Sequence, residues 1–163
     1  MSIDYLQNMS ELEEEFKDEI RGFGSLAVVL VSTSESNNSD EGSNNKGGFI
    51  GYDICPEDIE ALYFDGLGTP RWESIKADSV AEQMDIYNDS MQKVMSNYPM
   101  INRVSDTDQK VEYDPEEVLL LQTECEKVLG ATENPKAMRA LKKFLLACHK
   151  ALTGKMGLLL TPN

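Results

Sequence analysis

Histidine occurs once in this chain, at position 149, tryptophan once, at position 72, and cysteine only three times. So few nitrogen and sulfur ligands leave no way to assemble a zinc site of ordinary type. An odd number of cysteines without regular spacing argues against a disulfide framework and fits a reducing compartment. His149 follows Cys148 directly, and adjacent helical positions point about 100° apart, so the two do not form a nucleophile–base pair. Long apolar runs are missing as well. The longest, Leu26–Val31, is far too short to span a bilayer, and the first twenty residues are acidic where a signal peptide is basic and then apolar. These shortages point to a soluble, cytoplasmic, non-membrane protein.

Phosphate-binding and calcium-binding patterns fail on inspection. Gly66 and Gly68 lie in a turn cluster with Pro70, without the Gly-Lys-Ser/Thr that a phosphate loop requires. Asp106, Asp108, Glu112, Asp114 and Glu117 fall at calcium-loop positions 1, 3, 7, 9 and 12. Val111 stands where that loop must turn on glycine, and Pro115 follows inside it. With 29 carboxylates, acidic pairs arise by chance and do not single out an acid–base site. No metal, no cofactor and no catalytic residue is expected, and an enzyme is unsupported.

Positive charge is scarce and uneven. Fifteen basic side chains face 29 acidic ones, a net charge of −14. Residues 1–129 carry 9 basic and 28 acidic groups, net −19, and residues 130–163 carry 6 and 1, net +5, which together give the total. Such a chain repels polyanions at long range, so nucleic acid and anionic membrane are poor partners and a basic protein is a good one. Lys136, Arg139, Lys143 and Lys150 fall roughly on one side of the last helical segment, where they are expected to solvate a surface and offset nearby carboxylates.

What is present is a clear helical pattern. Asp114, Pro115 and Glu117 make a capping box with proline at the first helical position, and Val118, Leu121, Cys125, Val128 and Leu129 form an apolar stripe ending at Gly130. Asn134 and Pro135 start a second helix, with Met138, Leu141, Phe144, Leu145, Cys148 and Leu152 as its stripe. The link between them is short, so residues 114–154 are predicted to form an antiparallel helical hairpin. Cys125 and Cys148 both point inward but sit on the order of 13 Å apart along the helix direction, too far for a disulfide.

Upstream, Ser10 and Glu13 open a helix over 10–21 whose outer side carries Glu11, Glu14, Glu15 and Asp18. Leu26–Val31 and residues 48–54 read as strands joined by a mobile polar loop over 33–48, which contains no apolar side chain. Cys55-Pro56-Glu57 starts a short helical or turn segment. Val80, Met84, Tyr87, Met91, Val94 and Tyr98 keep a helical spacing over 79–97, with Glu82, Asp85, Asp89 and Lys93 opposite. This methionine-rich stripe reads first as core filler and second as an adaptable binding surface. Trp72 likewise reads first as core, second as a binding anchor among charges. A short strand is expected near 110–113, and the apolar segment 156–160 is a further strand or a tail on the hairpin.

The whole is predicted to be one α+β domain over 1–163, with a small, mostly antiparallel sheet covered by helices 10–21, 79–97, 115–129 and 135–152. A motif-free acidic α+β chain of this size resembles, in general character, the bacterial immunity proteins that occlude toxins. That resemblance implies stoichiometric blocking of a basic partner, with Glu11, Glu14, Glu15, Asp18, Trp72, Glu82, Asp85 and Asp89 as the candidate contact set. The alternatives are a structural or assembly subunit and a small-ligand or enzymatic domain without a recognisable motif.

Overall fold

Among the described residues of the computed structural model, three of the five α-helices begin on proline, which fixes the first helical φ and lacks an amide that would go unbonded there anyway. The structure describes residues 9–17, 25–32, 48–105 and 109–162. In chain order these form α1 (Met9–Phe16), β1 (Leu26–Val31), β2 (Phe49–Ile54), α2 (Pro56–Ala61), α3 (Val80–Asn97), β3 (Val111–Tyr113), α4 (Pro115–Leu129), α5 (Pro135–Thr153) and β4 (Gly157–Pro162). The fold is α+β, with a four-stranded antiparallel sheet in the order β2-β1-β4-β3. The polar loop expected over 33–48 lies outside the described residues except for Gly48, as do Asp18 and the end of the first predicted helix.

The strands alternate as a half-buried sheet must. Leu26, Val28, Leu158, Leu160, Val111 and Tyr113 face the core, while Glu112 is exposed on the other side. The register sets Val28 opposite Leu160 and Val111 opposite the same Leu160, so one leucine links three strands. At Gly157 a side-chain carbon would meet the Tyr113 carbonyl oxygen at 2.4 Å. Only glycine lets β4 approach the end of β3 so closely.

Against the inner face lies α5, the central helix. Its residues 143–148 are all buried, and six successive buried positions go right round a helix. Four alanines, at 137, 140, 147 and 151, let α4, α2, α1 and the sheet approach it from different sides. Among the neighbours, α4 makes the largest contact, through Val118, Leu121, Cys125 and Val128. The predicted pairing of α4 with α5 is therefore present, but not as a free-standing hairpin. Lys155, with φ 57°, turns the chain out of α5 and straight into β4, a central strand.

Lys143 departs from its expected surface role. It is 1% exposed, and its Nζ donates to the Asp53 carbonyl at 2.8 Å on edge strand β2. The amine lies over the rings of Phe16 at 5.3 Å and Tyr52 at 6.0 Å. Burial, aided by nearby Arg139, pushes its pKa down to about 8, against the pull of Asp58. Arg139 pairs with the buried Asp58 at 3.3 Å, and Lys150 pairs with Glu13 on α1. The basic side of α5 thus draws α1 and α2 onto the core. Among the described residues no helix is long and apolar enough to cross a membrane.

Candidate partner-binding surface

α3 is a well-formed helix that the core barely uses. Ser79 accepts the Glu82 amide at 3.1 Å, the Glu82 carboxylate accepts the Asp78 amide at 3.1 Å, and Pro99 follows the last turn. Its 18 residues run about 27 Å, yet Val94 is the one buried residue among them. Exposure rises along the stripe away from that point. Val94 is 4% exposed, Met84 48% and Val80 68%. The stripe predicted as core filler is therefore a surface over its first half. Periodicity specifies that one side is apolar, and it does not specify what covers that side.

The C-terminal end of α3 is firmly rooted. The Glu124 carboxylate on α4 accepts the amides of Met100 at 3.0 Å and Ile101 at 2.9 Å, capping the 3-10 turn Ile101–Ser105. Burial raises the Glu124 pKa, and those two amides partly oppose the shift. Tyr113 donates its hydroxyl to the Met100 carbonyl at 2.7 Å, and Lys127 lies 5.5 Å over the Tyr98 ring. Arg103 bonds Glu117 at 2.8 Å, which holds that carboxylate below its usual range.

The other half of α3 is steadied by Trp72. A turn over Leu62–Gly66, Gly68 at φ 81° and Pro70 carry the chain out of the core, so the 3-10 turn Trp72–Ser74 has no buried residue. Trp72 is 38% exposed rather than core. Its ring meets Tyr87 edge-on at 5.7 Å, and its carbonyl accepts Gln83 Nε2 at 2.9 Å. Arg71 beside it stacks on Phe64 at 4.0 Å.

Wound at about 100° per residue, α3 presents distinct sides. Gln83, Tyr87 and Val94 face Trp72 and the core. Val80, Met84, Met91 and Met95 form the adjoining side, within an arc of about 60°. Glu82, Asp85 and Asp89 point away from the core, all three exposed. Ile86 is exposed on its own beyond Lys93.

Of the candidate contact residues, Glu82, Asp85 and Asp89 share the outward side of α3, whereas Trp72 packs on its opposite side through Tyr87 and Gln83. Glu11, Glu14 and Glu15 are exposed on α1, which packs through Leu12 and Phe16 beside β2. Because α3 is rooted on α4 beside β3, the two acidic groups are rooted at opposite edges of the sheet. Asp18 lies outside the described residues. The sequence reading missed Val80, Met84 and Met95 as surface residues. The signal available was the acidic outer side combined with three methionines, which suits exposure as well as burial.

Elsewhere, an open groove of about 550 Å³ is lined by Glu57, Glu60, Asp65, Arg71, Asn134 and Lys136. Two pairs of its polar groups are engaged with one another: Asn134 bonds Asp65 at 2.7 Å and Arg71 lies 3.9 Å from Glu60. Among the described residues no group of three or more His, Cys, Asp or Glu side chains is placed to hold a metal ion. Compared with known families, curated proteins and solved structures, the chain finds no match in any of the three.

Proposed function

We propose that this protein is an acidic protein-binding module that blocks a basic partner by stoichiometric contact, as an immunity protein covers the working face of a toxin. The observation that carries this reading is α3, a rooted helix that leaves Val80, Met84, Met95 and Trp72 in water, with Glu82, Asp85 and Asp89 exposed on its outward side. Apolar side chains grouped within a polar rim are the ordinary composition of a docking surface. Burying them supplies contact energy, while the net charge of −14 speeds encounter with a cationic protein and discourages polyanions. Blocking by contact needs no catalytic group, metal or cofactor. The three buried thiols suit a reducing, cytoplasmic setting.

An assembly role is the second reading. It is favoured by Leu119 and Leu120, which are exposed side by side on α4.

The test is affinity capture from native extract with the wild-type chain and a Met84→Ser, Met95→Ser variant, at low and high salt. One basic protein retained in equimolar amount, weakened by salt and lost from the variant, is the expected result. Recovery of no equimolar protein by the wild type sinks the reading.

A further inference from the structure

Resting on that reading, we infer that the segment α3 receives is a cationic amphipathic helix of the partner, laid along Val80, Met84, Met91 and Met95 with basic residues on the flank toward Asp85. The apolar side chains stand at spacings of four, seven and four, a straight row about 22 Å long. A helix laid alongside offers its own apolar side chains at spacings of three and four and meets such a row along its length. Three of the four are methionines, whose unbranched and polarisable side chains adapt to varied apolar shapes. Trp72, stacked on Tyr87 one step round the helix, stands at the margin of the row and adds a rigid aromatic surface.

The carboxylates decide the sign of the ligand. Asp85 lies about 80° further round the helix than Met95, at the edge of the row, and Asp89 about 120° further, so the long lysine or arginine side chains on that flank of a docked helix reach toward Asp85 while Asp89 adds to the field. Lysine or arginine there is attracted, and aspartate or glutamate is repelled. The same charges argue against a second copy of this chain, since each copy brings −14 and its own Asp85.

The probe is a synthetic 18-residue leucine–lysine peptide patterned as an amphipathic helix, read by the emission of Trp72, the chain's one tryptophan, and by titration calorimetry. A scrambled peptide of the same composition, without an apolar face, is the control. Saturable one-to-one binding is expected, with the scrambled peptide about tenfold weaker or worse. Met84→Glu is expected to weaken the patterned peptide by about tenfold, although it adds a negative charge that simple attraction would reward. A triple Glu82→Gln, Asp85→Asn, Asp89→Asn variant is expected to bind more weakly and with a shallower salt dependence. It tests the charges independently of any packing change at Met84.

Equal binding of the two peptides, or undiminished binding by Met84→Glu, overturns the inference by reducing the surface to charge alone. Dimerisation without peptide, abolished by Met84→Glu, overturns it in favour of a second copy. If the patterned peptide fails while extract capture still yields an equimolar basic protein dependent on Met84, the helical occupant is overturned and the binding module stands. If both fail, both are overturned.

Discussion

The Nζ of Lys143 lies 2.8 Å from the carbonyl oxygen of Asp53, so an amine on the central helix is bonded to the backbone of an edge strand. It does so while 1% exposed, and the consequence is visible in pH. Burial holds the folded pKa near 8, against 10.5 for an ordinary lysine. Between those values the unfolded chain binds more protons than the folded one, so this group's contribution to stability rises with pH from about 8 to about 10.5. The change amounts to at most about 3 kcal/mol. Chemical denaturation of wild type and Lys143→Met across pH 7 to about 10.5 isolates it from the rest of the chain. The wild type is expected to gain on the variant as pH rises. A constant difference would mean that Lys143 is solvated like a surface lysine.

Gly157 tests the sheet. Its missing side chain leaves room for the Tyr113 carbonyl, which a methyl group would meet at 2.4 Å. Because that atom is backbone in a paired strand, it cannot rotate aside. Gly157→Ala is expected to destabilise the protein by about 1–3 kcal/mol in urea denaturation. An unchanged midpoint would show that β3 and β4 do not pair as described.

Val94 and Met84 lie on the same stripe of one helix and should respond very differently. Val94→Ala removes buried methyl groups and is expected to cost about 1–2 kcal/mol. Met84→Ser alters a half-exposed side chain and is expected to stay within about 0.5 kcal/mol of wild type. Thermal unfolding of the two variants checks this. Equal, large losses would place Met84 in the core and remove it from any docking surface.

Glu124 is the hinge-pin of α3. Glu124→Ala leaves the Met100 and Ile101 amides without their carboxylate, an expected loss of about 1–3 kcal/mol. Hydrogen exchange should show the Met100 and Ile101 amides opening faster in the variant, with the amides of α5 slowed or hastened only as far as global stability changes. Unaltered exchange at those two residues would mean that the root of α3 is held by Tyr113 and Tyr98 instead.

Helix starts and strand segments were legible in the sequence because they rest on local chemistry. Asp114 with Glu117 forms the reciprocal capping box and Asn134 caps α5, each where the sequence pattern places it. Burial was less legible because it depends on neighbours. Lys143 reads as one more basic residue on a polar side, yet α5 is central and has no wholly solvent-facing side. The run of alanines was the usable sign. Trp72 and the α3 stripe failed in the opposite direction. Their composition suits a core, but the turn at Gly68 and Pro70 takes the chain away from it before either is reached. The charged residues of the candidate surface were found because outward-facing carboxylates are read directly from helical spacing. The apolar half was not, since a stripe looks the same whether it meets its own core or another protein.

The strand order carries a consequence for how the chain comes off the ribosome. β1 and β3 are separated by β4, which follows both of them and all five of the described α-helices. Until β4 has been synthesised and has cleared the exit tunnel, β1 can pair only with β2, and β3 has no strand beside it. The core-facing leucines of β4 also complete the floor on which α5 rests. A nascent chain therefore holds its helices with only the β1–β2 half of the sheet they pack on, and the pairings of β4 with β1 and β3 can form only after β4 emerges.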